Sequence, residues 1–244
     1  MRRYGLIGFP LGHSFSKSYF EAKFQRENLS DCRFDNFPLE HITDFPQVLK
    51  HYPDLAGLAV TIPYKSAILP YLSELDPDAA AIGAVNCLKR MPHGWKGFNT
   101  DWIGFRDSFL LERRPEHQQA LVFGTGGSSK SIVYALELLG IACQRVSRNP
   151  APGLLSYNDL RNLDMNDYLI WINCTPTGTY PHVSDALPLP FDQLTPNHYL
   201  YDLVYNPPRT VFLEHGMAAG ATVRNGQDML IIQAEFNWKL WQDQ

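Results

Sequence analysis

Near the middle of the chain stands LVFGTGGSSKSIVYALELLG, residues 121 to 140. A short apolar run, a glycine-rich turn and apolar residues at helical spacing read as strand, tight turn and helix. Gly124, Gly126 and Gly127 let the backbone turn sharply and approach a pyrophosphate, whose charge suits the helix N-terminus. Ser129 takes the third small position of the G-x-G-x-x-G pattern, where a small side chain permits close helix-to-strand packing. A glycine turn in this context points to a parallel α/β sheet that binds a dinucleotide.

Two other readings of the same residues stay open. GTGGSSKS approaches the P-loop pattern, with Asp202 of HYLYD as the acidic strand end, although Ser129 stands where a P-loop needs glycine before the lysine. The plain alternative is a glycine turn with no ligand. The next strand ends CQRVSRNP, and no Asp or Glu occurs from Ile141 to Gly153. An acid in that region binds the ribose 2′-OH of NAD, whereas an arginine accommodates the 2′-phosphate of NADP. Arg148, with Ser147, therefore favours NADP; a solvated surface arginine is the alternative.

Around this turn, strands are expected near 120–124, 144–148, 168–174, 199–204 and 221–224, in doubly wound α/β order. The loop from Pro176 to Pro196 carries five prolines and reads as an irregular surface segment. Up to residue 100, apolar runs at 4–9, 33–37 and 58–62 alternate with helical patterns near 17–28, 42–50 and 64–75, which implies a second β-α-β sheet. Two more strands, 84–90 and 95–98, flank the turn MPHG, and a helix follows at 102–112. The final segment, GQDMLIIQAEFNWKLW, is a helix expected to pack back on the first domain. The expected domains are 1–101 with 226–244, and a Rossmann-type domain at 102–225.

With 244 residues, 45% hydrophobic and 19% charged, the chain can build two cores. A net charge of -4 with scattered basic residues leaves no electrostatic footprint for nucleic acid or an anionic membrane. No apolar run approaches the roughly 18 residues of a membrane span, and the opening MRRYGLIGFPLG reads as a first strand rather than a targeting segment. Cys32, Cys87, Cys143 and Cys174 lie far apart without a C-x-x-C pair, so neither a zinc site nor a disulfide scaffold is indicated and a cytoplasmic setting is expected. The expected partner is a small molecule.

The first half also carries polar residues in apolar surroundings. In GHSFS, Ser14 and Ser16 are two apart, so an extended segment would aim both hydroxyls the same way, as a carboxylate needs; Ser16 as a helix cap, or as part of a hydrolase elbow, is the alternative. In GLAVTIPYK, Pro63 suits the first turn of a helix, which places Lys65 at an electropositive end where a cation is unfavourable. A carboxylate and a polar substrate would justify it as an acid-base residue, and Asp101 of GFNTD is the candidate partner. Lys65 as a surface lysine and Asp101 as an N-cap are the plain readings. Asn86 needs partners if buried in its strand, and Gln233 on an apolar helical stripe meets a ligand or is a satisfied core amide.

Together the segments HSFS, AVTIPYK, GAVN, NTD, GTGGSS, NCTPTG, DLVYNP and GQDMLIIQA, in this order, resemble the shikimate dehydrogenase family over nearly the whole chain. The resemblance implies reversible NADPH-dependent reduction of 3-dehydroshikimate to shikimate, in the pathway to aromatic amino acids, by two α/β domains around a cleft and without a metal. It implies that Ser14, Ser16 and Tyr205 hold the substrate carboxylate, and that Thr61, Asn86, Asp101 and Gln233 bind ring hydroxyls. Lys65 would protonate the carbonyl oxygen, oriented by Asp101. Gly124, Thr125, Gly126, Gly127 and Ser128, with Ser147, Arg148 and Asn149, would hold the pyrophosphate and adenosine phosphate of NADP(H). Thr175, Leu203, Gly226 and Met229 would lie near the nicotinamide. Trp102 departs from a glycine common in the family. A quinate/shikimate dehydrogenase using NAD and a catalytically silent NADP-binding regulator are the alternatives, and a homodimer is left open.

Overall fold

The computed structural model describes residues 1–12, 15–149 and 151–242. The chain divides into two compact units, residues 1–100 with 234–244, and residues 101–233. The division falls inside the last helix, at 233/234, whereas sequence reasoning set it at 226.

In the first unit the elements follow as β1 (Arg2–Gly8), α1 (Phe15–Arg26), β2 (Cys32–Pro38), α2 (Phe45–His51), β3 (Leu55–Val60), β4 (Glu74–Leu75), α3 (Pro77–Ile82), β5 (Cys87–Met91) and β6 (Gly94–Phe98). The strands form one sheet in the order β2-β1-β3-β5-β6-β4. β1 runs parallel to β2 and β3, while β5 is antiparallel to β3 and β6. Side chains alternate between two cores, as the period of a strand requires. Ile7, Phe37, Leu58, Val60 and Leu88 enter one core, with Phe45 of α2. Leu6, Phe34, Ala59 and Cys87 enter the other, with Phe20 and Phe24 of α1 and with Ala234, Trp238 and Trp241. Burial on both faces explains why β1 from Tyr4 onward and β3 read as nearly continuous apolar runs. Gly57 has a packing reason: a Cβ there would lie 2.4 Å from the indole of Trp241, whose N–H donates to the Leu88 carbonyl at 3.0 Å.

The helix expected at 64–75 does not form. Residues 62–68 are turns around a cis Ile62–Pro63 bond, followed by a 3-10 turn at Leu69–Tyr71. The carbonyl of Lys65 accepts from the Val85 N–H at 2.7 Å and that of Ser66 from Leu69 at 3.3 Å. Pro70 could supply no N–H to Ser66 in any case, so the α-helical ladder is interrupted. The helix that does form, α3, was not expected from the sequence. It is short, but its signals are present: Asp76 accepts from the Asp78 N–H at 3.1 Å, Pro77 opens the helix, and Gly83 closes it at φ 66°.

The second unit continues as α4 (Asp101–Phe109), β7 (Gln119–Phe123), α5 (Gly127–Leu138), β8 (Ala142–Ser147), β9 (Leu154–Ser156), β10 (Ile170–Asn173), β11 (Tyr199–Asp202), α6 (Val211–Ala218) and β12 (Thr222–Arg224), and α7 (Gln227–Gln242) begins in it. Its sheet is parallel throughout, in the order β12-β11-β10-β7-β8-β9. β9 is a strand that the sequence did not announce. Counted from β7, the order is that of a doubly wound dinucleotide fold, with the topological switch between β7 and β10. No helix among the described residues is long and apolar enough to cross a membrane.

Candidate functional site

In the first unit the sheet topology brings the polar segments to one edge. Because β5 is antiparallel to β3 and β6, its start lies beside the ends of both. Asn86, just before β5, receives the Val60 N–H on its carbonyl at 2.8 Å and donates its own N–H to Phe98 at 3.1 Å. Thr61 follows β3; its N–H donates to Ile7 at 2.9 Å, and it turns its methyl toward Gly8, where a Cβ would lie 2.4 Å away. Lys65, half-buried, is tied to the same edge through its carbonyl and Val85, the residue before Asn86. It sits on a turn rather than at a helix N-terminus. The conflict with a helix dipole that the sequence suggested is therefore absent.

The Asn86 side chain, 3% exposed, grips the segment after β6. Its Oδ1 accepts the Thr100 N–H at 2.7 Å, and its Nδ2 donates to Thr100 Oγ1 at 2.9 Å. Thr100 Oγ1 in turn donates to Asn237 Oδ1 at 2.6 Å. Asn99 donates to the Ala84 carbonyl at 2.9 Å. These bonds satisfy groups whose burial would otherwise be costly. Sequence reasoning missed Thr100 and Asn237; the available signal was a second amide four residues after Gln233, on the same helical face. Ser16 lies in the first turn of α1, partly buried, so the extended geometry proposed for the serine pair does not hold at Ser16. Ser14 lies outside the described residues.

In the second unit Asp101 opens α4 and is 4% exposed. A carboxylate there complements the helix dipole. One turn on, Gly104 lies against α7: a Cβ would be 2.6 Å from the Met229 carbonyl and 3.2 Å from the Gln233 Cβ. Asp101 thus shares a helix face with the residue that meets Gln233. Gln233, 7% exposed, donates to the Leu230 carbonyl at 2.9 Å. Trp102 packs edge-on against Tyr134 of α5, centroids 5.6 Å apart, beneath the Arg106 guanidinium at 4.9 Å.

The glycine turn has the form that its sequence demands. Gly124 takes φ 108°, left-handed space open to glycine, and Gly126 precedes α5 with open space where a Cβ would stand. Gly127, Ser128 and Ser129 occupy the helix start, where backbone N–H groups have no acceptor inside the helix. Thr125 and Gly126 are exposed and Ser129 is buried against the sheet. At the end of β8, Ser147 Oγ accepts the Asn149 N–H at 3.2 Å, and Arg148 is exposed. A pyrophosphate and a 2′-phosphate fit this donor set, and the sequence from Ile141 to Gly153 holds no Asp or Glu to repel the latter.

The remaining strand ends converge on the same edge. A Cβ at Gly124 would lie 3.1 Å from Thr175 Cγ2, and one at Gly226 only 2.2 Å from the Leu203 carbonyl oxygen. Tyr205 is half-buried two residues beyond Leu203 on the loop after β11. Two buried residues join these loops, Asn173, which had no role in the sequence reading, and Asp202, which had one only in the P-loop alternative. Asp202 Oδ1 accepts from Asn173 Nδ2 and from the Val204 N–H, both at 2.9 Å, and its other oxygen accepts from Thr210 Oγ1. Asn173 Oδ1 accepts from Thr175 N–H at 2.9 Å and Thr175 Oγ1 at 2.7 Å. Burial pushes the Asp202 carboxyl up to about 7, against the pull of Thr210, Val204 and Asn173.

A family model described as the shikimate dehydrogenase substrate binding domain matches residues 6–88. The shikimate dehydrogenase (NADP(+)) of Clostridium botulinum is 34% identical over 249 residues, 97% of this chain and 95% of that protein. The protein of the same description from Desulforamulus reducens is 31% identical over 263 residues, 97% of this chain and 88% of its own. The crystal structure of shikimate 5-dehydrogenase from Thermus thermophilus in complex with NADP(H) and shikimate superposes with a TM-score of 0.86 at 28% identity, covering 99% of this chain and 94% of that one.

Proposed function

The chain belongs to the shikimate dehydrogenase family, and we propose that it catalyses the reversible NADPH-dependent reduction of 3-dehydroshikimate to shikimate. The observation that carries this reading is the polar edge of the first sheet. Thr61, Asn86 and the backbone of Lys65 are fixed there by hydrogen bonds, and Asn86 holds the residue that precedes Asp101. A binding module needs neither a lysine nor a carboxylate at these positions.

NADPH, when bound, supplies the hydride. Gly124 to Ser128 hold its pyrophosphate, Ser147, Arg148 and Asn149 its adenosine phosphate, and Thr175, Leu203, Gly226 and Met229 its nicotinamide end. Lys65 gives a proton to the carbonyl oxygen of the substrate and takes it back in the reverse direction, with Asp101 as the group that orients it. Ser14, Ser16 and Tyr205 bind the substrate carboxylate, while Thr61, Asn86 and Gln233 bind ring hydroxyls. Neutral donors suit the carboxylate because they fix it by geometry without adding a second fixed charge near Lys65. The domains assigned on this basis are a substrate domain built on the first unit and a nucleotide domain on the second. Four free cysteines are in keeping with a cytoplasmic protein.

Following NADP+ reduction with shikimate, then quinate, then repeating both with NAD+, tests the reading. Shikimate with NADP+ is expected to dominate. Preference for quinate with NAD+ would assign the chain to the catabolic activity, and NADP+ binding without turnover would mark it as a regulator.

A further inference from the structure

Asp202 lies at the end of β11 with no exposed surface, and nothing in the proton or hydride chemistry uses it. Its carboxylate joins three segments: the end of β10 through Asn173, the loop after β11 through the Val204 N–H, and the start of α6 through Thr210, which caps that helix. Asn173, also without exposed surface, has an amide that is chemically two-ended. Only its NH2 end can donate to a carboxylate. Asp202 therefore decides which way this amide faces, and the oxygen is left to receive both the N–H and the O–H of Thr175. Thr175 Oγ1 then accepts from the Thr177 N–H at 3.2 Å. Its hydroxyl proton is committed inward, so toward a ligand Thr175 acts as an acceptor. Its methyl lies against Gly124, at the switch point of the sheet. The neighbouring Leu203 N–H donates to the Asn173 carbonyl at 2.9 Å, so both loops are registered by the same pair of residues.

We infer that Asp202 is a positioning residue for the nicotinamide end of the NADPH site, acting through Asn173 to set the direction of the Thr175 hydroxyl and the place of the 203–204 backbone. The inference rests on the cofactor assignment proposed above. It concerns geometry rather than charge: an asparagine at 202 keeps an acceptor for Asn173 and Val204, and the Thr210 hydroxyl can rotate to receive its amide. The pyrophosphate turn at Gly126 and the adenosine end at Ser147 to Asn149 take no bond from Asp202 or Asn173, so they are left unchanged.

The test compares NADP+ with adenosine 2′,5′-bisphosphate, a fragment without the nicotinamide, by calorimetric titration of the full chain. Asp202→Ala is expected to weaken NADP+ by about tenfold, the effect of leaving one or two buried donors unmatched, while the fragment binds within about twofold of wild type. Turnover falls in parallel, and Asp202→Asn restores both. Equal weakening of NADP+ and the fragment, or a loss in Asp202→Asn as large as in Asp202→Ala, would overturn the inference. Should Asp202→Ala not fold, Asn173→Ala removes the middle member and leaves Thr210 as a cap; unchanged NADP+ affinity there would also overturn it. A wild-type chain that binds NADP+ and the fragment but oxidises no shikimate would sink the functional reading and leave the titration to decide this one. A wild-type chain that binds neither would sink both.

Discussion

Asn86 holds Thr100 from both sides of its amide, with the Thr100 N–H donating to Oδ1 at 2.7 Å and Nδ2 donating to Thr100 Oγ1 at 2.9 Å. The pair joins the start of β5 to the end of β6 one residue before Asp101. Asn86→Ala would leave a buried backbone N–H and hydroxyl without these partners, at a cost of about 1–3 kcal/mol. The expected outcome is a lower urea midpoint with unchanged slope, together with reduced turnover. Activity lost with no change in the midpoint would mean that Asn86 acts on the substrate alone.

Lys65 carries the proposed proton transfer. Lys65→Ala should lower kcat by about two to four orders of magnitude while the KM for shikimate changes little, because general acid-base groups act mainly in the transition state. Steady-state kinetics in the oxidative direction decides it. An equal effect on kcat and on substrate affinity would reduce Lys65 to a binding residue.

Arg148 follows the second strand of the nucleotide sheet and is exposed. A charge-assisted bond to the 2′-phosphate contributes roughly 1.5–3 kcal/mol, so Arg148→Ala should raise the KM for NADP+ by about ten- to a hundredfold and leave NAD+ use nearly unchanged. Parallel kinetics with both cofactors reads this directly. If both suffer alike, the 2′-phosphate lies elsewhere.

His117 and His198 are buried in the second unit, and burial holds both imidazoles below the usual histidine range. His117 faces the Arg114 N–H and the Asn197 carbonyl, and His198 faces Thr195 and the Met165 carbonyl. A folded pKa below the unfolded value of about 6.5 means that the unfolded chain binds protons first as pH falls. Stability present above about pH 6.5 is then lost toward the folded pKa, by up to about 1.4 kcal/mol per pH unit and per histidine. Asp202, pushed up to about 7 from an unfolded value near 3.8, acts in the opposite sense and gains stability as pH falls through about 7. Urea unfolding at pH 7.5 and 5.5 should show a smaller acid loss for His117→Gln/His198→Gln than for wild type. The same loss in both would place the acid sensitivity in other groups.

Much of the nucleotide half was legible in the chain because its signals are local. The strand, glycine turn and helix of β7 and α5 are consecutive in sequence, and each residue type there answers to backbone geometry or to a phosphate within a few positions. The absence of an acid after β8 is likewise read at one strand end. At 64–75 an apparent helix gave way to turns for one local and one distant reason: Pro70 supplies no N–H to Ser66, and Val85, some twenty positions away, takes the Lys65 carbonyl.

The polar bracing could not be read in the same way. Asn86 with Thr100 and Asn237, and Asn173 with Asp202, are pairs that meet only once sheet order places their strand ends side by side. Composition, spacing and the glycine turn by themselves determined the α/β class and the class of cofactor. Only the tertiary structure decided which buried amides and carboxylates hold the site in shape, because a buried polar group must find its partner wherever the fold supplies one.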